Sequence, residues 1–110
     1  VHDYCGHPFQ VQLSRALAAR GHQVLHAWCP SVTSGNGSLV RRPTDPPGFA
    51  VAEVPLGSAF ERYRARRRLR QELQYGRRVT ARLEEFQPEV VLSANTPLLA
   101  QAQLARWCRA

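Results

Sequence analysis

Lysine and methionine are absent from this 110-residue chain, so all fifteen of its basic residues are arginine. Arginine enrichment of that kind, with frequent alanine, is the signature of a GC-rich bacterial genome. Cysteine is sparse. Cys5, Cys29 and Cys108 are odd in number and show no Cys-x-x-Cys spacing, which argues against a disulfide framework and a zinc ribbon and for reduced thiols in a cytosolic protein. No apolar run approaches the roughly 20 residues of a membrane-spanning helix, and the polar N-terminal stretch does not read as a signal peptide. No serine sits in a Gly-x-Ser-x-Gly context. No two carboxylates form an acid/base site, because Glu84 and Glu85 are helix neighbours facing different ways.

What is present fits one small domain. Hydrophobic residues make up 44% of the chain, ordinary for a globular protein and too high for a disordered one. A chain of this length buries roughly 65% of the surface its unfolded form exposes, enough for one modest core. The opening Val1-His2-Asp3 lacks a methionine and the chain stops at Arg109-Ala110 in a helical pattern, so it reads as a fragment cut at both ends.

The net charge of +7 is concentrated. Between Glu61 and Arg82 lie nine arginines and two glutamates, and elsewhere six arginines and six acidic residues cancel. Any electrostatic partner should meet that one segment.

Residues 8–20 read as an amphipathic helix with Phe9, Leu13, Ala16 and Leu17 as its apolar stripe, closed by Gly21 at positive φ. Val24 to Cys29 reads as a buried strand. Residues 30–48 carry Pro30, Pro43, Pro46-Pro47 and several glycines, and form a long loop. Within it, Asn36-Gly37-Ser38 matches a glycosylation acceptor, a pattern common by chance. Phe49 to Val54 is a second strand, stopped by Pro55 and Gly57. A helix over roughly 59–86 follows, its stripe running through Leu69, Leu73, Gly76, Val79, Leu83 and Phe86, with Gly76 placed for a close helix–sheet approach or a kink. Glu89 to Ala94 is a third strand, apolar on both faces like a central parallel strand. Thr96 as N-cap and Pro97 at the first position would open a last helix through Leu98, Leu99, Ala102 and Trp107. Alternating elements and apolar strands predict an α/β fold, a Rossmann-like parallel sheet flanked by helices, with Val1-His2 ending a truncated first strand.

Four places carry possible chemistry. The turn from His2 to Pro8 would lie at the C-terminal edge of the sheet, where open α/β folds bind ligands beside a helix N-terminus. Gly6 there lets backbone N–H groups approach a phosphate, or simply serves a strand-to-helix turn. His2, Asp3, Cys5 and His7 are also metal-ligand types, but residues so close along one turn seldom converge on one ion, and no metal is expected. His26, in a strand, reads as a packed core histidine. Asn95 and Thr96 occupy a second strand-to-helix turn and can hydrogen-bond a hydroxylated ligand, or merely cap the helix. Arg62, Arg64, Arg66, Arg67, Arg68 and Arg70, with Phe60 and Tyr63, suit an anionic membrane surface. They also suit nucleic-acid phosphate, or a plain solvated face.

Three stretches in order resemble the N-terminal domain of the family 4 glycosyltransferases, retaining enzymes of GT-B type. His2-Asp3-Tyr4-Cys5-Gly6-His7-Pro8-Phe9-Gln10 is similar to the family's first turn, with Cys5 where a second glycine is usual. Leu17-Ala18-Ala19-Arg20-Gly21-His22-Gln23-Val24 is similar to its L-A-x-R-G-H-x-V junction, which also occurs in other GT-B families, sugar-nucleotide epimerases among them. Pro88-Glu89-Val90-Val91-Leu92-Ser93-Ala94-Asn95-Thr96-Pro97 is similar to its x-P-D-V-V strand and following loop. The resemblance implies that residues 1–110 are part of the acceptor-side half, with the donor domain and its paired glutamates absent, and it assigns no catalytic residue here. It implies a nucleotide-sugar as co-substrate, no bound cofactor or metal, Gly6 and His7 at the donor diphosphate, and Asn95 and Thr96 at the acceptor. It further implies a glycan or lipid-linked acceptor in envelope polysaccharide synthesis, and a cytoplasmic location, peripheral on the inner face of the membrane. The alternatives are a GT-B epimerase half and an Arg-rich nucleic-acid-binding module. No recognised motif beyond charge supports the latter, and no nucleic-acid partner is expected.

Overall fold

A computed structural model describes residues 1–32 and 39–110. The Asn36-Gly37-Ser38 motif lies outside the described residues. Four parallel strands form one sheet in the order β3-β2-β1-β4: β1 His2–Asp3, β2 Val24–Trp28, β3 Phe49–Glu53 and β4 Ser93–Ala94. His2 pairs with Ala27 on one side and with Ser93 on the other, and Val24 pairs with Phe49. Three helices, α1 Pro8–Ala19, α2 Ala65–Phe86 and α3 Leu98–Arg109, complete a generic Rossmann-like α/β arrangement. Among the described residues no helix is long and apolar enough to cross a membrane.

Local chemistry sets the boundaries. Pro8 opens α1, where its missing N–H costs nothing, and the His7 ring accepts the Phe9 N–H. At the other end Gly21 takes φ +94°, its N–H donating to the Ala18 carbonyl while the His22 N–H reaches the Leu17 carbonyl. This pair of bonds closes a helix that turns through a left-handed residue. Helix α2 starts at Ala65 rather than near 59. Gln71 explains the delay: its amide donates to Ser58 Oγ and the Ala59 carbonyl and its Oε1 accepts the Glu61 N–H, holding 58–61 as an irregular strap. Arg62 and Arg64 therefore precede the helix. Helix α2 ends at Gln87, which adopts φ +50°, and Pro88 follows. Thr96 is not the cap of α3; Pro97 holds that position, and the Thr96 hydroxyl turns back to the Ala94 carbonyl.

The sheet separates two apolar clusters. Tyr4, Ala27, Cys29, Val54 and Leu56 pack with Tyr75 and Val79 of α2 and with Ala100 and Leu104 of α3. On the other side Val11 and Ala18 of α1 cover Val24 and Phe49. The α1 stripe differs from expectation: Val11, Ser14 and Ala18 face the sheet, Leu17 is half-buried, and Phe9 and Leu13 are 72% and 42% exposed. In α2, Gln71, Glu72, Tyr75, Gly76 and Val79 are buried while Leu69 and Leu73 are exposed. Gly76 serves helix–helix rather than helix–sheet contact, since a Cβ there would lie 3.0 Å from Ala100 Cα and collide with the Gln103 side chain. The third strand shortens to Ser93–Ala94 and forms an edge, which leaves Val90 and Leu92 exposed instead of central. Asp45 anchors the stretch before β3, accepting from Arg15 Nε at 2.6 Å and from the Arg42 N–H at 2.6 Å. The Arg15 guanidinium holds that carboxyl below its usual range.

Candidate functional site

Chain direction reverses across the sheet between β1 and β4: the chain leaves β1 for β2 on one side, while β4 pairs on the other. The turns that follow these two strands, residues 4–7 and 95–97, flank the crevice that such a switch point creates. Each turn opens a helix, and neither α1 nor α3 has an acidic residue in its first turn. The positive ends of two helix dipoles therefore face this edge, and carboxylates from outside those first turns reach both: Asp3 accepts the His7 N–H before α1, and Glu72 accepts the Leu99 N–H at the start of α3.

Asp3 organises the first turn. Fully buried, its carboxylate accepts the Cys5 N–H at 3.3 Å, the His7 N–H, and the Asn95 side-chain amide at 3.2 Å. Gly6 adopts φ +65°, and a Cβ there would sit 2.9 Å from the Trp28 ring. A left-handed turn pressed against an indole is the reason for glycine at this point. The two amides held by Asp3 are already satisfied, so an anion at this turn would meet the helix ends and side chains instead. The sequence placed Asp3 in the turn from His2 to Pro8 and among metal-ligand types; the signal for its role is an aspartate leading directly into a turn, where such side chains hold backbone N–H groups.

His2 ties three elements together. Its Nδ1 lies 2.9 Å from Thr96 Oγ1 and its Nε2 lies 2.7 Å from the Tyr75 hydroxyl of α2. The Thr96 hydroxyl has one hydrogen, which goes to the Ala94 carbonyl, so the network assigns the His2 proton to Nδ1 and makes Nε2 the acceptor from Tyr75. Burial lowers the His2 pKa to about 4, so the ring is neutral at physiological pH. Burial pushes the Tyr4 phenol up to about 12 and the Tyr75 phenol higher still, so neither ionises.

Gly6, His7 and Asn95 are thus brought together around Asp3, and Thr96 is joined to them through His2. His7 keeps a partly exposed ring stacked on Phe9 at 5.0 Å. Asn95, exposed and at φ +55°, spends its amide hydrogen on Asp3 and keeps its carbonyl oxygen.

No protein-family model matches the chain, and no curated protein or solved structure matches it. The family resemblance therefore stands on its three sequence stretches, beside a fold many families share.

Other chemistry-bearing residues play different parts. Among the described residues no three His, Cys, Asp or Glu side chains gather where they could hold a metal ion. The three cysteines are free thiols, and burial raises the pKa of Cys5 and Cys29. His26 is fully buried with its Nδ1 2.7 Å from Ser14 Oγ, and Ser14 is equally buried beneath α1, so the pair packs out of reach of a substrate. All six arginines from Arg62 to Arg70 are exposed, and of these only Arg68 forms an ion pair among the described residues, with Glu72 at 3.1 Å. A groove of about 730 Å³ opens at the opposite, N-terminal edge between Leu17, Val24, Leu83 and Leu92, away from Gly6, His7, Asn95 and Thr96.

Proposed function

We propose that this chain is the acceptor-side half of a retaining GT-B glycosyltransferase of the family 4 type, moving a sugar from a nucleotide-sugar to a glycan or lipid-linked acceptor. One observation carries the reading: the two turns that resemble the family's donor and acceptor loops lie side by side at the switch point, each at a helix N-terminus. The donor diphosphate would lie against the start of α1, where the helix dipole and the His7 ring offset leaving-group charge. The Asn95 carbonyl oxygen would accept from an acceptor hydroxyl. Thr96, its hydroxyl engaged by His2 and Ala94, positions that turn. Transfer itself requires the donor half with its paired glutamates.

The first test is a titration of isotopically labelled protein with UDP, GDP and TDP. The amide resonances of Gly6, His7 and Asn95 are expected to shift with one of them; no response to any nucleotide removes the donor-loop assignment. The second uses the polypeptide that carries this half with a donor half, supplied with a panel of nucleotide-sugars and membrane lipid extract. Sugar incorporation from one donor supports transfer, and an epimerised donor without incorporation replaces it with the isomerase reading.

A further inference from the structure

We infer that Glu72 determines which half of the crevice accepts phosphate: it holds the start of α3 as a built-in anion and turns phosphate away from the Asn95 and Thr96 turn. The inference rests on the proposed division into a donor turn and an acceptor turn, and it names the residue that enforces that division.

The sequence leaves α3 without a cap of its own. Pro97 stands at the cap position and has no side-chain acceptor, the Thr96 hydroxyl is turned to the Ala94 carbonyl, and the first turn contains no acid. A helix that begins in this way offers first-turn N–H groups and the positive end of its dipole to an anion. Glu72 of α2 takes that place from outside. Its Oε2 accepts the Leu99 N–H at 3.4 Å, and Leu99 is the second residue of α3, whose N–H a capping side chain normally takes. Its Oε1 accepts Arg68 Nε at 3.1 Å. Glu72 is 9% exposed, so its carboxylate is not free to swing into water as a surface glutamate would. A carboxylate held there repels a second anion at close range, and more strongly for being shielded from solvent.

The start of α1 differs in kind. Asp3 accepts from Cys5 and His7, which precede the helix, and from Asn95. The first-turn N–H of Phe9 goes instead to the His7 ring at 3.5 Å, and that ring is only half-buried. A phosphate there displaces an imidazole that can turn and donate to it, whereas at α3 it would have to displace a buried charge. The acceptor left free at the second turn, the Asn95 carbonyl oxygen, also suits a hydroxyl donor and not a phosphate.

The experiment is a titration of isotopically labelled protein with inorganic phosphate, followed at the Leu98, Leu99 and Ala100 amides. No nucleotide or sugar is present, so the donor-loop assignment can fail while Glu72 still excludes phosphate, and the reverse. In the parent these amides should stay in place, and the Leu99 N–H should exchange with solvent about tenfold more slowly than the Leu98 N–H. Glu72→Gln keeps the side-chain shape and an oxygen for Leu99 but removes the charge. Its amides should shift with phosphate, bound roughly tenfold or more tightly than in the parent. Arg68→Gln alone should stay silent, and Arg68→Gln combined with Glu72→Gln should still respond, which separates the helix start from an arginine released by the variant. A glutamate serving only as a structural cap would lower stability without creating a phosphate response. Parent amides that shift as far as those of Glu72→Gln, or a folded Glu72→Gln that stays silent, would overturn the inference. If Glu72→Gln does not fold, the parent decides: a Leu99 N–H that is protected and silent supports the inference, and one that exchanges as fast as Leu98 or moves with phosphate overturns it.

Discussion

The two sides of the sheet are built differently. Beneath α2 and α3, apolar side chains from two strands, the loops after β1, β2 and β3, and both helices interlock, with Tyr75 and Leu104 almost wholly buried. Beneath α1 the apolar cluster is smaller, and a polar pair, Ser14 with His26, occupies its middle. Two buried nitrogens there, His26 Nε2 and Trp28 Nε1, have no hydrogen-bond partner among the described residues, each a cost of about 1–3 kcal/mol. Helix α1 also turns Phe9 and Leu13 to solvent. Stability should thus come mainly from the helix pair, while the α1 side is held as much by hydrogen bonds and turns as by packing.

Acid should strain both sides together and give the largest effect. His2 and His26 lie on opposite sides, each held by burial to about 4 from an ordinary 6.5. A folded-state pKa below the unfolded value means that the unfolded chain binds more protons. Stability is then fully present above the unfolded value and falls as pH drops towards 4, by up to about 1.4 kcal/mol per pH unit for each ring. Urea titrations between pH 7 and 4.5 should follow that slope, and His2→Gln should reduce it by about half. A flat profile would mean that neither ring needs to stay neutral.

Next in size is a matched pair of truncations. Leu104→Ala should cost about 3 kcal/mol, whereas Leu13→Ala, at an exposed site, should stay within about 0.5 kcal/mol. Equal losses in thermal or urea unfolding would erase the distinction between the two sides. Smaller again is Tyr75→Phe, which keeps the ring and leaves His2 Nε2 without its donor. It should cost about 1–2 kcal/mol and shift the Thr96 amide resonance through the shared imidazole. An unmoved Thr96 would show that His2 does not couple α2 to the turn after β4.

The parallel α/β plan, the strands at Val24 and Phe49 and the Gly21 helix stop were legible because each rests on local pattern. The packing of His26 was legible because a histidine in an apolar strand has few other places to go. The covered side of α1 was not, since apolar residues lie on two of its faces. Phe9, Leu13 and Leu17 form one row, Val11 and Ala18 another, and only the position of the sheet decides between them. The start of α2 was hidden for a different reason: Gln71 holds the 58–61 strap through a polar side chain inside a helix, and periodicity does not register such bonds. At the candidate site, Gly6, His7, Asn95 and Thr96 were visible as two separate turns. Their meeting around Asp3 and His2 depends on contacts across almost the full length of the chain.

That separation has a consequence in time. His2 lies between partners at Ala27 and Ser93, so β1 pairs with one strand near it in sequence and with another far beyond it. Parallel pairing over such a distance closes a large loop before any contact rewards it, which slows folding. Within this domain β1, α1, β2 and β3 are close in sequence, whereas Asn95 and Thr96 reach Asp3 and His2 only once β4 docks on β1. The crevice therefore depends on the longest-range pairing in the sheet, and β1, β2 and β3 without it would make much of the sheet but no site.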